Sequence, residues 1–363
     1  MNNKKPFNNL PLLPINFKNL MTPKIYQKVI KTNKELARLN GIEQMNNRKI
    51  SEIFLNSLVL TESIDSNIIE NINTTIDSVA LSSAIKDIKW SEKETIRYKD
   101  AMIYWLNEIK LKKNILSLNT IIWIQEKIEE NSAWIRKIPW TMLKNEKTWE
   151  IVYYPPEPNF LNNLLNNLEE YINKSEMEEL DDCIKSAIIH YQFESIHPFL
   201  DWNWRTWRIL ILLYLIKQKL LNFPILYISW YINKNKSNYY RLLQEVRTKN
   251  NWEEYILYIL HAIEKQSKIT WDKILSINKL YKEKSNSYIK NSNLNWIEKL
   301  CDLFFQKIYI SFWEILKNLK VSKPTLIKKL NELEKLGLIN KIKDWKNTLY
   351  FISEYLEILK NID

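Results

Sequence analysis

The densest chemistry in the sequence lies in the run Ile196-His-Pro-Phe-Leu-Asp-Trp-Asn-Trp-Arg-Thr-Trp-Arg208. His197 is the one side chain there whose ordinary pKa lies near neutrality, which makes it a candidate general base. Asp201 offers the hard oxygen that Mg2+ prefers when the ion also bridges phosphate oxygens. Arg205 and Arg208 stand three apart, so on a helix both guanidiniums leave one face toward the same phosphates. Asn203 carries an amide that can hold the loop and help bind phosphate. A base, an oxygen ligand and two guanidiniums at the mouth of a helix point to chemistry on phosphate groups.

Phosphate binding of this kind needs close backbone approach, and here the composition is out of line. The 363 residues include 15 Trp and 2 Gly, where ordinary usage gives roughly 25 Gly. Several Trp stand where the backbone calls for glycine. Trp345 sits at the turn between two alternating stretches, where Asp-Gly is the expected hairpin pair. Trp149 precedes the strand-like Ile151-Val-Tyr-Tyr154, and Trp134 follows the helical stretch Ile121 to Ser132. Trp202, Trp204 and Trp207 crowd the run itself. Either the chain is unusually aromatic, or most of these residues are glycines in the living protein, decoded from UGA. The abundance of Lys, Asn, Ile and Tyr fits an AT-rich gene in which such a code arises. With glycine at 202 and 204, successive N–H groups form an anion nest at a helix N-terminus. With Trp there, bulk and an unfavourable positive φ leave the loop catalytically dead. Trp252, opening a helix after Asn250-Asn251, is the expected genuine tryptophan.

The surrounding chain is a mainly α-helical scaffold. With 53 Lys+Arg against 42 Asp+Glu, the net charge is +11, and 45% hydrophobic and 26% charged residues fit an ordinary globular protein of two or three domains. The longest clean apolar run, Ile209 to Ile216, is far short of the roughly 20 residues a membrane span needs. Asn and Pro break Met1 to Phe17, so no signal-peptide core is expected there. Cys183 and Cys301 lie far apart and suggest reduced thiols. These features predict a cytoplasmic protein with no membrane association. Helical patterns are expected over Arg48 to Asn71 and near 92–112, 117–131, 158–174, 180–195, 205–221 and 237–290, with a β-prone hairpin or flap between Lys137 and Pro158. A short helix over 312–319 precedes Ser322 as N-cap and Pro324 in the first turn of a second helix. That helix should end at Gly337, with two β-prone stretches following. Helix, turn, helix and wing describe a winged helix-turn-helix.

Glycine at 202, 204 and 207 would turn the run into His-Pro-Phe-Leu-Asp-Gly-Asn-Gly-Arg-Thr-Gly-Arg, which resembles the signature of the Fic (filamentation induced by cAMP) family. Arg136-Lys-Ile-Pro-Trp-Thr141 and Thr148-Trp-Glu-Ile-Val-Tyr-Tyr-Pro-Pro156 are similar to that family's flap region with glycine at 140 and 149. Ser66-Asn-Ile-Ile-Glu-Asn71 resembles its inhibitory motif, Ser/Thr-x-x-x-Glu-Gly/Asn. The resemblance covers nearly the whole chain. It implies a Fic helical core with a small β-hairpin flap plus a C-terminal winged helix-turn-helix. The expected segments are 1–90 with the inhibitory motif, 91–290 as catalytic core and 296–363 as winged helix.

The resemblance implies a protein adenylyltransferase using ATP and Mg2+. His197 would take the proton from a Ser, Thr or Tyr hydroxyl of a protein target. AMP passes to that hydroxyl and pyrophosphate leaves. Asp201 would hold the metal, and residues 202–204, Arg205 and Arg208 the phosphates. Glu70 would pair with Arg208 and restrain activity, the alternative being an ordinary exposed helix glutamate. In some members this glutamate serves removal of AMP, so a de-adenylylating enzyme stays open, as does a degenerate core acting as a DNA-binding regulator. Tyr239 and Tyr240 match a segment near the nucleotide, where Tyr240 would contact adenine, or they pack in a core. His190 and His261 lack ligand-spaced partners and are expected to be structural, with Phe199 a buried anchor. Twelve Lys against nine acidic residues in 296–363 make a modest basic face. DNA binding, homodimerisation or substrate docking all remain available to that segment, and self-modification to the core.

Overall fold

The computed structural model describes residues 5–15, 20–41, 48–69, 74–85, 90–111, 115–129, 134–144, 149–174, 179–226, 228–292, 294–344 and 347–361. Glu70, Asn71 and Trp345 lie outside the described residues. Among those residues are fifteen helices and five short strands. The chain forms two compact units interleaved in sequence, one of residues 1–37, 100–224 and 234–265, the other of 38–99, 225–233 and 266–363. This partition by compactness crosses the segments expected from the sequence.

The first unit is built around two helices that are apolar on nearly every side. Helix α1 (Asp182–Ile196) is buried from Cys183 through Ile196, and α2 (Asn203–Lys217) is buried from Arg205 through Ile216. A helix hydrophobic all round has no face for water and must run through the core. The two pack on each other, with α3 (Leu118–Glu129) against α2 and α4 (Pro158–Asn173) against α1. Asp181 caps α1 by accepting from the Cys183 N–H at 2.8 Å, which fixes where the helix starts. α2 begins at Asn203, two residues before its expected start. It ends at Lys217, where the chain turns through a left-handed Lys219 with φ 60°. The flap is an antiparallel pair, β1 (Leu143–Lys144) with β2 (Ile151–Tyr153), in register Leu143↔Tyr153. Helix α5 (Lys236–Lys249) ends at a left-handed Asn250, and the 39-residue α6 (Trp252–Lys290) follows. Trp252 donates to Asn250 Oδ1 at 2.9 Å and stacks edge-on against Tyr191, a place that uses its whole indole.

In the second unit, α7 (Arg48–Ile69) packs against α8 (Ile297–Gln306) and α9 (Ser353–Lys360). Helix α10 (Phe312–Leu319) has Ser311 as N-cap. Helix α11 (Lys323–Lys335) has Ser322, which accepts from the Thr325 N–H at 3.3 Å, and Pro in its first turn. Beyond it the Gly337 N–H donates to Glu334 O and the Leu338 N–H to Leu333 O, with φ +67° at Gly337, the hydrogen-bonded ending that a left-handed glycine permits. Three antiparallel strands follow the order β3 (Ile310–Ser311), β5 (Asn347–Phe351), β4 (Asn340–Asp344). Both cysteines are free and buried, with burial pushing each thiol's pKa up. Among the described residues no helix is long and apolar enough to cross a membrane.

Removing the cap of α11 tests this part of the fold directly. Ser322→Ala should lower unfolding stability by about 1 kcal/mol, read as a lower urea midpoint at unchanged slope.

Candidate active site

The site grows from the junction of α1 and α2. His197 is the C-cap of α1, in the left-handed conformation at φ 48°, ψ 63°, its N–H still donating to Phe193 O at 2.9 Å. Five residues on, Trp202 takes the same conformation at φ 61° as N-cap of α2. Just past Trp202, Asn203 closes the loop on itself. Its Oδ1 accepts from the Phe199 N–H at 3.0 Å, and its Nδ2 donates to Phe199 O at 2.9 Å. The same Nδ2 lies 3.1 Å from His197 Nε2. An amide N–H donates to a ring nitrogen only if that nitrogen carries a lone pair, so Nε2 is the acceptor and Nδ1 holds the proton. His197 is 7% exposed and Asn203 2%. Burial and the charges of Arg136 and Arg247 push the His197 pKa down to about 3, so the imidazole is neutral. Phe199, 2% exposed and facing Phe193, is the anchor expected of it.

Arg205 and Arg208 leave the first turns of α2 at 0% and 1% exposure. The first N–H groups of that helix have no intrahelical carbonyl to meet, and two guanidiniums beside them concentrate positive charge. The indoles at 202 and 204 occupy this region. The Arg205 guanidinium carbon lies 3.4 Å from the centre of the Trp202 ring. Trp204 packs on Tyr239 at 5.0 Å and on Tyr240 at 5.8 Å between ring centres. Tyr240 is therefore beside the loop, 44% exposed. Tyr239 belongs to the core, its hydroxyl 2.9 Å from His190 Nε2. Asp201 is exposed; its Oδ1 accepts from the Trp202 N–H at 2.7 Å. That leaves Oδ2 without a donor among the described residues, which suits a lone carboxylate sharing a hard cation with phosphate oxygens. Among those residues no three His, Cys, Asp or Glu gather as a metal cluster.

Three residues outside the run hold it in place. Gln125 on α3 donates to Asp201 O at 2.9 Å and accepts from the Thr206 hydroxyl. Tyr153 on β2 donates to Ser195 O at 2.8 Å. Arg136, 2% exposed, donates from Nε to His197 O at 2.8 Å. None of these was singled out as a site residue from the sequence. Gln125 sits in an expected helix and Arg136 in the flap motif, but bonds across 61 to 81 positions leave no periodic mark.

Among the described residues three tryptophans adopt left-handed backbone: Trp140 at φ 56°, Trp149 at φ 60° and Trp202 at φ 61°. Trp134 differs from expectation. It is absent from the left-handed residues, so its own backbone makes no demand for glycine; residues 130–133, between it and Glu129, lie outside the described residues. Trp204 and Trp207 lie within α2, where φ is ordinary.

His190 is fully enclosed, its two nitrogens 2.9 Å from the Tyr239 hydroxyl and 3.1 Å from the Tyr255 hydroxyl, its ring stacked 3.7 Å from Trp207. Burial and the charge of Arg208 push its pKa well down. It is structural, as expected. Below about pH 6.5 an unfolded chain protonates residues 190 and 197, while the folded protein keeps both neutral. Stability therefore falls as pH drops through that value, because the unfolded state binds more protons. Urea unfolding at about pH 7 and about pH 5.5 should show the loss, and His190→Gln should remove part of the pH dependence.

With the geometry in place, comparison with known proteins is informative. The model of the Fic/DOC family matches residues 115–215, and that of the Fic/DOC family N-terminal region matches 26–106. A probable protein adenylyltransferase of Aquifex aeolicus is 22% identical over 327 residues, covering 89% of this chain and 92% of that protein. Protein adenylyltransferase Fic of Drosophila grimshawi is 27% identical over 113 residues, 31% of this chain and 22% of its own length. Among solved structures, a Fic family protein from Desulfovibrio desulfuricans shares the fold at TM-score 0.57 and 18% identity, covering 91% of this chain and 96% of that one. The helical scaffold, the paired arginines on α2 and these matches have one common explanation: the chain belongs to the Fic/DOC family.

Proposed function

We propose that the protein is an adenylyltransferase that moves AMP from ATP to a Ser, Thr or Tyr hydroxyl of a protein target. The observation that carries this reading is the His197 imidazole, neutral and held beside Asn203, at the mouth of a helix bearing Arg205 and Arg208. The phosphates of ATP would lie over the first turn of α2, where unpaired N–H groups and both guanidiniums stabilise developing charge. His197 would take the proton of the incoming hydroxyl on its Nε2 lone pair, the hydroxyl displacing the Asn203 amide that donates to that nitrogen. The hydroxyl oxygen then bonds to the α-phosphorus as the bond to pyrophosphate breaks. Asp201 would hold Mg2+, which neutralises charge on the departing pyrophosphate. Tyr240 would flank the adenine. The Aquifex and Drosophila relatives, named as adenylyltransferases, support the class of reaction. Glu70 would act as a brake through Arg208, supported by the motif Ser66-Asn-Ile-Ile-Glu-Asn71 and one charge-assisted pair competing with a phosphate. Location in the cytoplasm, self-modification and a homodimer belong to the same reading. Removal of AMP from a target would use the same pocket.

The reading requires glycine at 202 in the native polypeptide, and the same backbone argument applies at 140 and 149. All three have the conformation that the chain's own Gly337 adopts, and a side chain there costs about 1 kcal/mol or more. Trp140 and Trp149, 54% and 75% exposed, recover little of that by burial. At 202 the indole covers the Arg205 face a phosphate needs. At 204 the argument is steric alone. Peptide mass spectrometry of the protein from its own cells should find glycine at 140, 149 and 202; tryptophan at all three overturns this. In a chain made with tryptophan, Trp149→Gly should raise stability by about 1 kcal/mol.

Labelling by ATP tests the reaction itself. The native chain should label a protein target or itself, His197→Ala should abolish the signal, and Glu70→Gly should raise it. An unchanged signal in the Glu70 variant ends the brake hypothesis. Residues 296–363 are best explained as a winged helix-turn-helix, supported by α10, α11 and the small sheet. Lys323 over the exposed Trp313 ring is the feature that would favour DNA, while Lys329 and Lys341 are paired with Glu332 and Glu334. Docking of a protein therefore suits the segment better, and a gel shift with salt titration separates the two.

A further inference from the structure

We infer that Arg136 is the positioning residue of the His197 base, holding its placement through the backbone at the end of α1. This rests on the reading of His197 as the base, but the evidence for the coupling is separate. A helix leaves its last carbonyls without donors, and α1 ends in a left-handed turn where Ile196 O and His197 O both face inward. One guanidinium meets them. Arg136 Nε donates to His197 O at 2.8 Å, and Nη2 donates to Ile196 O at 3.3 Å and to Pro156 O. Nη1 reaches the Thr141 hydroxyl at 3.4 Å, and the Arg136 N–H donates to Pro198 O at 2.9 Å. Helix end, catalytic loop and both sides of the flap are thus tied to one planar group, a geometry lysine cannot reproduce.

The same group adds a positive charge that, after burial and together with Arg247, lowers the His197 pKa. Arg136 is buried, and burial lowers its pKa only to about 10, so it stays charged at any working pH. The charged groups acting on His197 are Arg136 from the base of the flap and Arg247 from α5, and the partner from α2 is the neutral Asn203. Glu157 acts on Arg136 and favours its charged form. The imidazole is thereby kept unprotonated throughout the physiological range, while the same lowering makes it a weaker base.

The test uses the full native chain with Arg136→Lys, Arg136→Gln and Tyr153→Phe. Tyr153→Phe removes another donor from the same helix end, at Ser195 O, without removing charge. Two readouts are followed: NMR titration of the His197 ring, one of three histidines, and labelling by ATP. Arg136→Gln should raise the His197 midpoint, and Arg136→Lys and Tyr153→Phe should leave it low. At saturating ATP, Arg136→Lys should lose about 10-fold or more in labelling rate through misplacement of the base, with the KM for ATP little changed. An unmoved His197 midpoint in Arg136→Gln, or full labelling in Arg136→Lys, overturns the inference. If His197→Ala still labels, the base assignment fails instead, and the titration still reports on the Arg136 coupling.

Discussion

The first unit depends on one constraint: two helices buried on nearly every side must be joined by a six-residue loop without exposing backbone inside the core. The solution is a left-handed residue at each end of the loop, His197 and Trp202, with the Asn203 amide serving as a side-chain replacement for a backbone partner at Phe199. Everything functional follows from that reversal. It aims the imidazole back toward the start of α2, and it brings the leading N–H groups of α2 and two arginines to the same side. The flap then packs on the reversal through Arg136 and Tyr153, so its backbone is tied to the helix end that carries His197.

Electrostatics explains why the polar groups of this region can be buried. Arg205 and Arg208 are as enclosed as the leucines around them, and buried cations are costly unless something negative or a dipole answers them. His197 and His190 avoid the same penalty by staying neutral. Where the Trp202 indole lies on Arg205, a cation–π contact forms, worth about 2 kcal/mol when desolvated.

Much of this could be read from residue types. The spacing of Arg205 and Arg208, the cap at Ser322, the proline after it and the glycine at 337 each force a local outcome, and the structure has all of them. The flap was legible because alternation and proline leave a short-range pattern. The supporting residues were not. Gln125, Arg136 and Tyr153 act by single hydrogen bonds to carbonyls 42 to 76 positions away, and no periodicity records such a bond. Trp134 shows the limit of composition as a guide. Surplus tryptophan made it a candidate glycine, yet its backbone lies outside the left-handed region, so only residues whose φ is constrained carry that argument. Glu70, the proposed brake, lies outside the described residues.

The two buried thiols give the molecule an independent use. Cys183 belongs to the first compact unit and Cys301 to the second, and each is shielded from reagents while its unit is closed. Thiol–disulfide exchange needs a thiolate that solvent can reach. A slow disulfide reagent therefore reacts at 183 only when the catalytic unit opens, and at 301 only when the C-terminal unit does. The chain thereby carries one clock for each unit, and the two rates compare their opening free energies without any label being added.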